Sequence, residues 1–104
     1  MAFSGKPFFQ IPRPIRRKGH LNIETLAGNK TLVHKDSYFQ VLDPSGADRD
    51  IVLPAELDGL AYHIRNSGGA NNLVVKNDGG STVLSLAPSE AAVYACDGTT
   101  WTAL

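Results

Sequence analysis

The feature that most constrains this chain is its punctuation. From residue 21 onward, β-type runs are cut by Ala27-Gly28-Asn29, Asp43-Pro44-Ser45-Gly46, Asn66-Ser67-Gly68-Gly69, Asn77-Asp78-Gly79-Gly80, Ala87-Pro88-Ser89 and Asp97-Gly98. Gly, Pro, Asn, Asp and Ser in such clusters supply the dihedrals and local hydrogen bonds of tight turns. The intervals between them hold strands of about four to seven residues, and none shows convincing helical periodicity.

Within the intervals the pattern is period two. Leu60, Tyr62 and Ile64 alternate with Ala61, His63 and Arg65, and Ala91, Val93 and Ala95 alternate with Ala92, Tyr94 and Cys96. Successive strand residues point to opposite faces, so this is the pattern of half-buried strands. Leu21, Ile23 and Thr25 share one face of a first strand, and the sequence predicts that Leu21–Leu26 and Lys30–Lys35 form a hairpin. Tyr38–Leu42 and Asp50–Leu53 follow, separated by a turn whose proline at the second position and glycine at the fourth suit type I. Asn72–Lys76 and Thr82–Leu86 flank a hairpin turn, with Leu84 and Leu86 on one side, and Trp101 sits in a closing strand. One helical turn fits Pro54–Asp58, ended by Gly59. No fixed-period repeat is visible. About eight or nine strands at this spacing predict an all-β antiparallel sandwich or barrel.

Residues 1–20 read differently. They contain Lys6, Arg13, Arg16, Arg17 and Lys18 and no acid, so this segment carries +5 and the other 84 residues −5 within a neutral chain. Pro7, Pro12 and Pro14 remove backbone donors and bias their neighbours toward extended conformations. Phe3, Phe8, Phe9, Ile11 and Ile15 are too many apolar residues for a purely solvated tail. The expected organisation is an extended basic arm, 1–20, and a single β-domain, 21–104. The arm reads as a strap that contacts a partner surface through Phe3, Lys6, Phe8, Phe9, Ile11, Arg13, Ile15, Arg16, Arg17 and Lys18. That surface is a sister subunit's acidic body or a larger assembly; a solvated tail with accidental charge is the plainer alternative. Nucleic acid is disfavoured as a ligand, because the acidic body repels phosphates.

Residues with potential for chemistry are scattered. Cys96 is the only cysteine, which rules out an internal disulfide and a cysteine zinc site and leaves it as a small apolar strand residue. Asp43, Asp48 and Asp50 lack the spacing of an EF-hand loop and read as turn and cap residues. His20, His34 and His63 show no paired metal-ligand spacing. Neither a Gly-x-Ser-x-Gly elbow nor a phosphate-binding Gly-x-x-x-x-Gly-Lys loop occurs. Tyr94 and Trp101 read as anchors of a core or an interface. The expectation is a non-enzymatic protein without cofactor or metal. No run approaches the ~18 apolar residues of a membrane span, and no signal peptide is visible, so synthesis in a cytoplasm is expected.

Four stretches carry a family resemblance: Phe39-Gln40-Val41-Leu42-Asp43-Pro44-Ser45-Gly46-Ala47-Asp48-Arg49-Asp50-Ile51-Val52-Leu53-Pro54, Tyr62-His63-Ile64-Arg65-Asn66-Ser67-Gly68, Leu73-Val74-Val75-Lys76-Asn77-Asp78-Gly79-Gly80-Ser81-Thr82, and Cys96-Asp97-Gly98-Thr99-Thr100-Trp101. In this order they resemble β-rich modules of tailed-phage virion proteins, particularly capsid decoration (cement) proteins and parts of fibres. The resemblance implies a jelly-roll-like fold, a homo-oligomer with a trimer favoured over a dimer, and attachment to the major capsid protein on the outside of a phage capsid. It carries over no catalytic residue. A phage fibre module or a receptor- or carbohydrate-binding module is the alternative it leaves open.

Overall fold

The computed structural model describes residues 20–104, and the arm contacts expected from the sequence lie outside the described residues. The described chain is all-β, with nine strands: β1 (Leu21–Thr25), β2 (Lys30–Thr31), β3 (Phe39–Asp43), β4 (Arg49–Val52), β5 (Ala61–Asn66), β6 (Leu73–Lys76), β7 (Thr82–Leu86), β8 (Ala91–Cys96) and β9 (Trp101–Ala103). They form a five-stranded sheet in the order β9-β8-β5-β3-β1 and a four-stranded sheet in the order β2-β4-β6-β7. Neither sheet closes into a barrel.

Both sheets are mixed, which corrects the antiparallel expectation. β1 pairs with β3, β3 with β5, β2 with β4 and β4 with β6, all parallel. The physical reason is that the first six strands alternate between the sheets. Each connection turns a corner into the opposite sheet instead of folding back, so a strand finds its next-but-one successor beside it, pointing the same way. The result is three stacked coils, β1-β2, β3-β4 and β5-β6. Only then does the chain reverse: β6 and β7 form the expected antiparallel hairpin, and β8 returns to the first sheet antiparallel to β5 and to β9.

The predicted β1–β2 hairpin is therefore overturned, because the two strands belong to different sheets. Ala27-Gly28-Asn29 is a corner, and the Asn29 side-chain carbonyl accepts the Asp50 N–H at 2.9 Å, tying the first corner to the coil beneath. The turn after β3 is not type I either. Ser45 has φ +50°, where type I needs a negative angle, and the Asp43 carboxylate accepts the Ser45 N–H at 2.9 Å to hold it there. No helical turn forms over Pro54–Asp58; a single Leu60 N–H to Leu57 carbonyl bond turns the chain.

The inward rows of both sheets meet in one core containing Leu26, Leu32, Leu42, Ile51, Leu53, Tyr62, Ile64, Leu73, Val75, Leu86, Ala92, Tyr94, Cys96 and Trp101. Tyr94 and Trp101 are core anchors. The Tyr94 hydroxyl donates to the Leu84 carbonyl at 2.9 Å, and Trp101 Nε1 donates to the Pro54 carbonyl at 2.9 Å. Trp101 stacks on Tyr62, centroids 6.1 Å apart, and the Tyr62 hydroxyl donates to the Val33 carbonyl at 2.6 Å. Of Leu84 and Leu86 only the second is buried; Leu84, on a strand that is the edge of its sheet among the described residues, is 44% exposed.

The inward side of β1 is polar and half-buried. Asn22 and Glu24 occupy the inward positions of β1; Asn22 Nδ2 donates to buried Gln40 at 2.9 Å and to Glu24 at 3.1 Å. Glu24 forms an ion pair with Lys30 of β2 at 2.9 Å. Hydrogen bonds from Lys30 and then Asn22 hold the Glu24 carboxyl below its ordinary pKa. This pair links β1 to β2, which among the described residues are edge strands of their two sheets.

Candidate interaction surface

Inverting β1 has a direct consequence for the surface. With Asn22 and Glu24 inward, Leu21 and Ile23 point to solvent and are 54% and 71% exposed. The parallel register lines them up with their neighbours in two rows. One runs Leu21–Phe39–His63–Val93, and the other runs Ile23–Val41–Arg65–Ala91. Cross-strand neighbours on one face lie about 5 Å apart, so these rows form a continuous, mainly apolar patch across β1, β3, β5 and β8.

Its centre is aromatic. Tyr38 and Phe39 meet edge to face with centroids 4.7 Å apart, and the His63 ring lies 5.5 Å from Phe39 and 6.3 Å from Tyr38. Beside them is a depression of about 140 Å³ lined by Phe39, Gln40, Val41, His63, Arg65 and Ala91. That volume accommodates a single large side chain. The Arg65 guanidinium makes one long contact, 3.5 Å to the Ser89 carbonyl, and the side chain stands exposed. A second, more open depression of about 310 Å³ lies at the coil corners between Leu32, Val33, His34, Pro54 and Ala55, where His34 Nε2 is 3.1 Å from the Ala55 carbonyl.

The residues singled out in the sequence are dispersed. Asp48 accepts the Asn72 N–H at 2.8 Å, and Asp50 pairs with Lys76 at 3.0 Å, so with Asp43 each aspartate ties down a turn or a strand. The three histidines are not brought together, and among the described residues no group of three or more His, Cys, Asp or Glu could hold a metal ion. Cys96 is buried in β8, its sulfur accepting the Gly98 N–H at 3.4 Å. Comparison with known family models, curated proteins and solved structures finds no match.

Sequence reasoning missed the patch residues of β1, β3 and β5. The signal that could have found them is the double-sided apolarity of β3, where Phe39 and Val41 alternate with buried Leu42. Apolar residues on both faces of one strand mark an outer face that is not purely solvated.

Proposed function

We propose that this chain is a non-enzymatic virion structural protein, a decoration or cement protein that binds the outside of a phage capsid. The observation that supports this reading is the apolar patch on the outer face of β1, β3, β5 and β8, which makes the body a docking element. The family resemblance of the strand-and-turn landmarks makes the major capsid protein the docking partner and the virion surface the location. In this reading the two sheets act as the faces of a sandwich, and copies associate, as trimers in preference to dimers, at junctions between capsid subunits. Several weak contacts made at once give tight attachment. Because the protein then binds the assembled shell and not its separated subunits, it stabilises the shell by linkage.

The deciding experiment adds purified protein to capsids that lack it and measures co-sedimentation and the temperature of shell disruption. Saturable binding with a raised disruption temperature is the expected result; no co-sedimentation at micromolar protein would remove the proposal. The Tyr38–Phe39–His63 ring cluster favours a second reading, a fibre-type receptor- or carbohydrate-binding module. Exposed rings stack on sugar faces, and glycan-array binding lost in Phe39→Ala would support that reading instead.

A further inference from the structure

We infer that the outer face of β1, β3 and β5 seats residues 3–11 of a second copy of this chain, so that copies strap onto one another. This rests on the self-association proposed above and names the surfaces that carry it. The face asks for a cover: sheets with parallel strands are ordinarily covered on both sides, and β1 turns its apolar side outward, with Leu21 and Ile23 beside Phe39 and Val41.

The chain itself supplies apolar side chains to match. Residues 3–11 include Phe3, Phe8, Phe9 and Ile11, with Lys6 as the only charge. One of these side chains fills the depression of about 140 Å³ beside Phe39. Charge draws arm to body. Five of the ten basic residues precede residue 20 and all ten acids follow it, so the arm is +5 and the described body is 5 − 10 = −5. The basic run Arg13–Lys18 lies outside the seated segment, which keeps it off Arg65 and His63.

Length puts a second copy within reach. Residues 12–20 can reach at most roughly 28 Å at ~3.1 Å per residue. The patch from β1 to β8 is three strand spacings, or about 14 Å, wide, so the linker is long enough to carry the apolar segment past its own face to a neighbour's.

The test places a photoreactive p-benzoylphenylalanine at position 9 of the full chain, a Phe-like replacement, and irradiates the protein in solution. Expected is a species of doubled mass on a denaturing gel, with the cross-link mapping to peptides containing Phe39–Val41 or His63–Arg65. Adding Ile23→Glu, on an exposed side chain that leaves the circular dichroism unchanged, should lower its yield about tenfold by placing a charge in the seat. Three results would overturn the inference: a cross-link confined to the single-mass chain, a doubled species mapping to another surface, or a yield indifferent to Ile23→Glu. Native mass by light scattering separates the failures. An oligomer whose cross-links map elsewhere removes the strap and leaves self-association standing, whereas a monomer at every concentration removes both.

Discussion

Asn66 is a residue whose whole function is structural. It is fully buried at the end of β5, and its carboxamide donates to the Asn71 carbonyl at 2.8 Å and the Leu86 carbonyl at 3.0 Å while accepting the Gly68 N–H at 2.9 Å. One side chain thus fixes the corner between the sheets and reaches β7. Asn66→Ala leaves those backbone groups without partners in the interior, and should cost about 2–4 kcal/mol in urea unfolding. Gly68 next to it is required by space: a Cβ there would lie 2.8 Å from both Asp43 Oδ1 and Pro44 Cδ. Gly68→Ala should lose about 1–3 kcal/mol through overpacking at this corner. The two buried phenols set the alkaline limit. Burial, and then the Asp36 charge, push the Tyr62 pKa up to about 12 from 10.0, and burial, then Glu90, raises that of Tyr94 as well. Both phenols hold their protons in the fold to higher pH than in the unfolded chain. The Tyr62 contribution is therefore intact below pH 10 and is lost as the pH rises through about 12, and that of Tyr94 falls away in the same direction. Tyr62→Phe should flatten the fall of stability with pH in that window, read by denaturant midpoints at a series of pH values.

At the scale of elements, β1 is where sequence pattern and structure part. Period two correctly puts Leu21, Ile23 and Thr25 on one face, but alternation alone does not say which face is inward. The decision comes from the neighbour: Gln40 of β3 is buried and offers Asn22 a polar partner at 2.9 Å, so the polar side of β1 turns in. β5 and β8 were legible because their apolar sides meet the same core from adjacent antiparallel positions. The parallel stacking was not. Equivalent positions in the coils are 18 residues apart from Leu21 to Phe39 and 24 from Phe39 to His63, so corners of unequal length hide the repeat from any fixed-period reading. The outer patch was hidden for the same reason as β1, while the turn chemistry of Asn77–Gly80 named its hairpin directly. The inversion is testable. Leu21→Thr with Ile23→Thr places β-branched strand formers on an exposed face and should change unfolding free energy by less than about 0.5 kcal/mol. Leu42→Ala, one strand away but inward, should cost about 2–5 kcal/mol. Equal losses from both would show that β1 faces the other way.

For the whole molecule, six strands wound as stacked coils place both leading edges, β1 and β2, at the same end. Among the described residues each of these two strands has a single neighbour, and an edge strand presents unpaired N–H and C=O groups to any further strand. Here the half-exposed Glu24–Lys30 ion pair and Asn22 lie on the inward side of the first described coil, and inward-pointing charges at a sheet edge disfavour pairing by another strand. A further strand laid against this rim would have to strip water from the ion pair, so the same contact that joins β1 to β2 also disfavours lengthening either sheet there.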